Sequence, residues 1–100
     1  MDGVLLLFHL PEGSPPRAHH RFRRRVHGEW TTSWAGKYRY WRKGLLDGVV
    51  HIQLHTGAVL VRKEDAGRVA RAIREAGGQV LRREVKLTSS DLTRLEKPRG

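Results

Sequence analysis

Cysteine is absent from the 100 residues, which removes disulfides, thiolate catalysis and cysteine-ligated zinc from the chemistry open to this chain. Carboxylates are scarce as well. The ten acids are Asp2, Glu12, Glu29, Asp47, Glu64, Asp65, Glu75, Glu84, Asp91 and Glu96. Most fall at turns or helix ends, where capping and charge compensation account for them. A metal-dependent nuclease needs carboxylates that converge on Mg²⁺ beside a phosphate, and no such group stands out. Long apolar runs are missing too: Val4 to Phe8 is far short of the roughly 20 residues that span a bilayer. No basic amphipathic helix with large exposed hydrophobes replaces it, so no membrane partner is expected. Walker loop, Rossmann glycines and nucleophile elbow are all lacking. No cofactor is implied, no metal and no catalytic residue is assigned, and no repeat is evident.

What the chain does carry is positive charge. Twenty Lys and Arg against ten Asp and Glu leave a net charge of +10 and an isoelectric point near 11.3. Such an excess repels itself unless a polyanion is normally at hand, and it is the footprint of nucleic-acid binding. Fifteen of the twenty cations are Arg, whose planar fork grips phosphate bidentately and stacks on bases as a Lys ammonium cannot. One hundred residues with 38% hydrophobic content suffice for a single thin core, not for a deep enclosed cavity. One domain is expected over residues 1–96, with a frayed tail at 97–100.

Punctuation divides the chain into alternating elements. Val4 to Phe8, closed by Pro11-Glu12-Gly13, predicts a strand buried on both faces and central in a sheet. The opening has no basic segment or cleavage site before Pro11, so a signal peptide is not expected and a cytoplasmic location is. Ser14-Pro15-Pro16 predicts a helix start, with Ser14 as N-cap and Pro15 at the first helical position, running to His27 and stopping at Gly28. Its apolar stripe is only Ala18, Phe22 and Val26. Residues 29–36 read as a loop, and Lys37 to Arg42 as a strand with Tyr38 and Tyr40 opposite Lys37, Arg39 and Trp41. Val49 to Leu54 predicts a strand with Val50, Ile52 and Leu54 inward, Thr56-Gly57 a tight turn, and Ala58 to Val61 a buried strand. A helix is expected over Glu64 to Ala76, its stripe Ala66, Val69, Ala70 and Ile73, closed by Gly77-Gly78. A last strand, 79–87, precedes a short helix opened by Ser89-Ser90-Asp91 and docked by Leu92 and Leu95. This order predicts an α+β fold: a ferredoxin-like two-layer sandwich, β-α-β-β-α-β, with room for one extra strand and a short C-terminal helix.

Two clusters carry the functional expectation. Arg17, Arg21, Arg23, Arg24 and Arg25 crowd one short helix with His19 and His20. Like charges three or four apart repel by a few tenths of a kcal/mol per pair, yet no acid relieves them between Pro15 and Val26. Five of seven aromatics lie between Trp30 and Trp41, interleaved with Lys37, Arg39, Arg42 and Lys43, a pattern that pairs base stacking with phosphate contacts. Trp34 and Trp41 are the stacking candidates. His51 and His55 share a strand face in this reading, with Asp47 preceding them, but two imidazoles fall short of the three ligands a metal needs. His9, His51 or His55 could serve a metal-free ribonuclease as acid and base.

The segment Leu5-Leu6-Leu7-Phe8-His9-Leu10-Pro11, followed by a basic helix, resembles the opening of the small CRISPR adaptation subunit and related ferredoxin-like endoribonucleases. The resemblance implies the ferredoxin-like fold. Where that family closes its first strand with a metal-binding Asp, this chain has His9, a departure that counts against the nuclease activity the resemblance would otherwise imply. Arg42-Lys43-Gly44-Leu45-Leu46-Asp47 and Val61-Arg62-Lys63-Glu64-Asp65 are similar to segments of small uncharacterised archaeal proteins. The expectation is therefore a non-enzymatic RNA-binding module of a ribosome or other ribonucleoprotein, preferring RNA to DNA. The alternatives are a small ribonuclease or deoxyribonuclease, and a homodimer joined through edge strand 79–87.

Overall fold

Alternating Val4, Leu6 and Phe8 fix the centre of the molecule, because a strand sends every second side chain to one face. They lie on strand β1, Asp2–His9, and are 0, 0 and 5% exposed. The computed structural model describes residues 2–33 and 35–96. Helix α1 (Pro16–His27) follows, then strands β2 (Glu29–Ser33) and β3 (Tyr38–Arg42), and a 3₁₀ turn at Leu45–Gly48. Strands β4 (His51–His55) and β5 (Ala58–Arg62), helix α2 (Lys63–Glu75), strand β6 (Gln79–Lys86) and helix α3 (Ser89–Glu96) complete the order.

The fold is α+β. Four strands form an antiparallel sheet in the order β4-β5-β1-β6. Val4, Leu6, Phe8, Val59 and Val61 on one face pack against Val26 of α1, Ala66, Val69, Ala70 and Ile73 of α2, and Leu46 and Val49 of the intervening turn. Fully burying one such side chain is worth about 1.5–3 kcal/mol, so this face carries most of the stability. Acidic Glu64 and Asp65 open α2 as expected, at the end where backbone N–H groups favour negative charge. Asp65, 9% exposed, accepts from Arg62 Nε at 3.3 Å and Arg68 Nη2 at 2.9 Å. Gly77, at φ +98°, closes the helix.

The opposite sheet face is only half covered. Helix α3 seats Leu95 on Ile52 and Leu60, with Leu5 and Val85 beside them. Beyond its reach Leu7, Leu54 and Leu81 stay 37, 56 and 47% exposed. β1 is thus central but not buried on both faces, and Leu54 is not inward.

Three further expectations are corrected. Ser14 does not cap α1: its hydroxyl donates to Pro11 O at 2.7 Å, and Pro15 is the N-cap. Residues 29–36 are not all loop, because Glu29 to Ser33 pair antiparallel with Tyr38 to Arg42. Two extra strands therefore form a hairpin of their own, separate from the main sheet. The molecule measures 48 × 36 × 19 Å with a radius of gyration of 14.9 Å, above the roughly 13 Å usual for this length. His51 and His55 do not share a face: a bulge between Gln53 and His55 pairs His51 with Val61 but His55 with Ala58, three positions apart and so on opposite faces. The tail at 97–100 lies outside the described residues. Among those residues, no helix is long and apolar enough to cross a membrane.

Candidate nucleic-acid interface

The narrow stripe Ala18, Phe22, Val26 decides which way the arginines of α1 point. Only Val26 is fully buried on this helix, and Arg17, Arg21, Arg23, Arg24 and Arg25 are all exposed. At 100° per residue Arg17 and Arg24 lie opposite the stripe, Arg21 and Arg25 sit on one flank and Arg23 on the other.

Two glycines bring the hairpin to this helix. Gly28 stops α1 at φ +84°, where a Cβ would lie 2.5 Å from Trp41 Cζ2 and 2.6 Å from Arg42 O. Gly44 is tighter still, since its Cβ would run into the backbone of Val26, His27 and Gly28. The two chain segments cross almost backbone on backbone, which no other residue type permits. Asp47 holds the crossing: its Oδ2 accepts from Gly44 N at 2.8 Å and Trp41 Nε1 at 2.9 Å.

The crossing creates a cleft of about 290 Å³ lined by Arg21, Arg24 and Arg25 from α1, Arg42 and Lys43 from the end of β3, and Glu29. Five cations face one carboxylate. Glu29 pairs with Arg24 at 3.4 Å; Arg21, Arg25, Arg42 and Lys43 have no ion pair among the described residues. Guanidinium groups converging from two elements on one concavity, largely without counter-charge, suit an oxyanion of phosphate type.

The remaining candidates lie elsewhere. Arg17 is one turn before Arg21 on the same helix face. Lys37 and Arg39 belong to the far half of the hairpin, where the Arg39 guanidinium sits 5.0 Å over the Trp30 ring, a cation–π contact within the molecule. Trp41 meets Trp30 edge to face at 5.6 Å and is 40% exposed. Trp34 lies outside the described residues. Tyr38 and Tyr40 share the face of Arg42 and are 60 and 43% exposed. Neither tyrosine is core, because the hairpin packs no face on the main sheet. What sequence reasoning missed is the crossing, whose only signal was Gly28 and Gly44.

Arg23 turns to the other flank of α1. With His9, His19 and His27 it lines a pocket of about 200 Å³ floored by Phe8, Phe22 and Val26 and edged by Thr56-Gly57. His9 Nδ1 lies 2.8 Å from Leu10 O, and His27 Nε2 lies 2.7 Å from Thr56 O. A carbonyl only accepts, so those nitrogens carry the protons. His9 Nε2 and His27 Nδ1 are left as acceptors in the neutral rings. His51 is not part of this group; its Nδ1 donates to Val49 O at 2.7 Å. Among the described residues no three His, Asp or Glu converge as a metal site.

Comparison with known proteins returns no matching family model, no matching curated protein and no matching solved structure.

Proposed function

We propose that this protein binds nucleic acid, RNA in preference to DNA, by gripping phosphates in the cleft between α1 and the base of the hairpin, without acting on them chemically. One observation carries this: Arg21, Arg24, Arg25, Arg42 and Lys43, drawn from two stretches of sequence, line one concavity against a single carboxylate. A solvated basic surface has no reason to converge, since bringing like charges together raises the energy until an anion enters. The strand order β4-β5-β1-β6, with α1 and α2 on one face, supports reading the frame as ferredoxin-like with the hairpin inserted after the first helix. Replacing Arg21, Arg25 and Arg42 together by Ala should lower affinity for structured RNA by about tenfold or more at moderate salt. Replacing Arg82, Arg83 and Arg94 instead removes the same charge away from the cleft and should have little effect. Equal losses in the two variants would contradict the assignment.

A second reading, metal-independent RNA cleavage, is favoured by the pocket that gathers His9, His19, His27 and Arg23. Imidazoles with fixed tautomers beside a guanidinium are the parts needed to pass a proton from a 2′-hydroxyl to a leaving oxygen. Labelled RNA incubated with the protein in EDTA distinguishes the two: binding without turnover supports the first, and cleavage abolished by His27→Ala supports the second.

A further inference from the structure

The cleft explains phosphates but leaves the hairpin above it unexplained. Five residues per strand project from the domain, with aromatic rings that no core needs. Antiparallel pairing sorts them into two faces. Trp30, Trp41, Thr32 and Arg39 share one; Glu29, Arg42, Thr31, Tyr40, Ser33 and Tyr38 share the other.

The tryptophan face makes contacts within the hairpin, although Trp30 itself stays 61% exposed. Trp30 packs on the edge of Trp41, Arg39 covers Trp30, and Asp47 holds the indole N–H of Trp41. The tyrosines on the other face are not so engaged, although Thr31 and Ser33 across from them are half-buried. Among the described residues neither Tyr38 nor Tyr40 has a ring partner or side-chain hydrogen bond, and they are 60 and 43% exposed. This face also runs straight into the cleft, because Arg42 at its foot is a lining residue. Arg42, Tyr40 and Tyr38 are successive same-face positions, about 6.8 Å apart at two residues per step. Thr31 and Ser33 stand across from the tyrosines and offer hydroxyls along the same track.

We infer that the ligand is an unpaired strand: one phosphate sits at Arg42 in the cleft, and the following bases splay onto Tyr40 and Tyr38. This rests on the phosphate-binding reading above and adds the ligand's class and the residues that recognise it. Rings on a projecting ribbon can stack only on exposed base faces. In a duplex those faces are covered by neighbouring pairs, and the shape of the helix is read instead.

The test compares a short oligouridine with an RNA duplex of equal length, for the wild type and for Tyr38→Leu/Tyr40→Leu. The double variant should lose about thirtyfold in affinity for the oligouridine and stay within about twofold on the duplex. Tyr38→Phe/Tyr40→Phe keeps the rings and should bind as the wild type. Ultraviolet crosslinking of the wild-type protein to a halogenated oligouridine, mapped by mass spectrometry, should mark Tyr38 or Tyr40 and not Trp30, which makes the outcome independent of how the variants fold. Unchanged oligouridine affinity in the Leu variant, or crosslinks confined to the tryptophans, would overturn the inference and leave the phosphate cleft standing. A wild-type protein that binds neither RNA would remove both.

Discussion

At the scale of single residues, the interface depends less on its arginines than on two positions without side chains. Gly28 and Gly44 allow α1 and the end of β3 to cross in contact, and the arginines converge because of that crossing. Gly44→Ala drives a methyl group into backbone that cannot rotate away. Overpacking of this kind costs about 1–3 kcal/mol, so the melting temperature should fall by roughly 5–20 °C for a domain of this size. Thermal unfolding followed by circular dichroism reads it directly, and an unchanged midpoint would mean the crossing is not as tight as described. Gly13→Ala supplies the contrast. Gly13 also has a positive φ, +87°, but nothing within 4 Å of its Cβ, so only the backbone strain of about 1 kcal/mol remains.

At the scale of elements, the hairpin and the domain are separable in energy. The core is complete without β2 and β3: every side chain that packs it comes from β1, α1, β5, α2, β6 or the segment 45–49. Replacing residues 31–40 by a short Gly-Ser turn should therefore leave the cooperative unfolding transition within a few degrees of the wild type while removing the tyrosine face. A variant that loses its transition would show the hairpin to be part of the core after all. This separability is also why the sequence was only partly legible. The continuous apolar run Val4 to Phe8 revealed β1 by its length and the breaker at Pro11, the stripe Ala66, Val69, Ala70, Ile73 revealed α2 by its period, and Gly28 and Gly77 marked the ends of α1 and α2. The segment 29–33 buries no face, so Glu-Trp-Thr-Thr-Ser carries no alternation and reads as loop. Leu54 looked inward because a strand was assumed covered along its whole length, whereas α3 is only eight residues long and covers half. The bulge at Gln53 to His55 has no signature in the residues themselves. For the site, the identity of the cations was readable from charge alone. Their division between a cleft and a separate histidine pocket was not, since it depends on the helix flank each one occupies.

At the scale of the whole molecule, the balance is electrostatic. A net charge of +10 on 100 residues opposes the compact state, and among the described residues few ion pairs offset it: those of Asp65, and Arg24–Glu29, Arg62–Glu64 and Lys63–Glu84 at 3.4 Å. The solvent-exposed pairs among them contribute about 0–1 kcal/mol each. Added polyanion should accordingly raise the melting temperature, by binding the folded state in preference to the unfolded one. The edge strand β6 carries Arg82, Arg83, Glu84 and Lys86, and such a charged edge resists pairing with a second copy. Light scattering should report a monomer at low salt, in the absence of nucleic acid. The proposed grip on phosphates rests on cations that converge in one cleft, and the salt dependence of RNA affinity measures their number directly. Each phosphate neutralised on a single strand contributes about 0.7 to the slope of log affinity against log salt. Five cleft cations predict a slope of magnitude about 3 to 4, reduced by about 2 when Arg21, Arg25 and Arg42 are replaced by Ala. A slope near zero, or one that the triple replacement does not change, would contradict it.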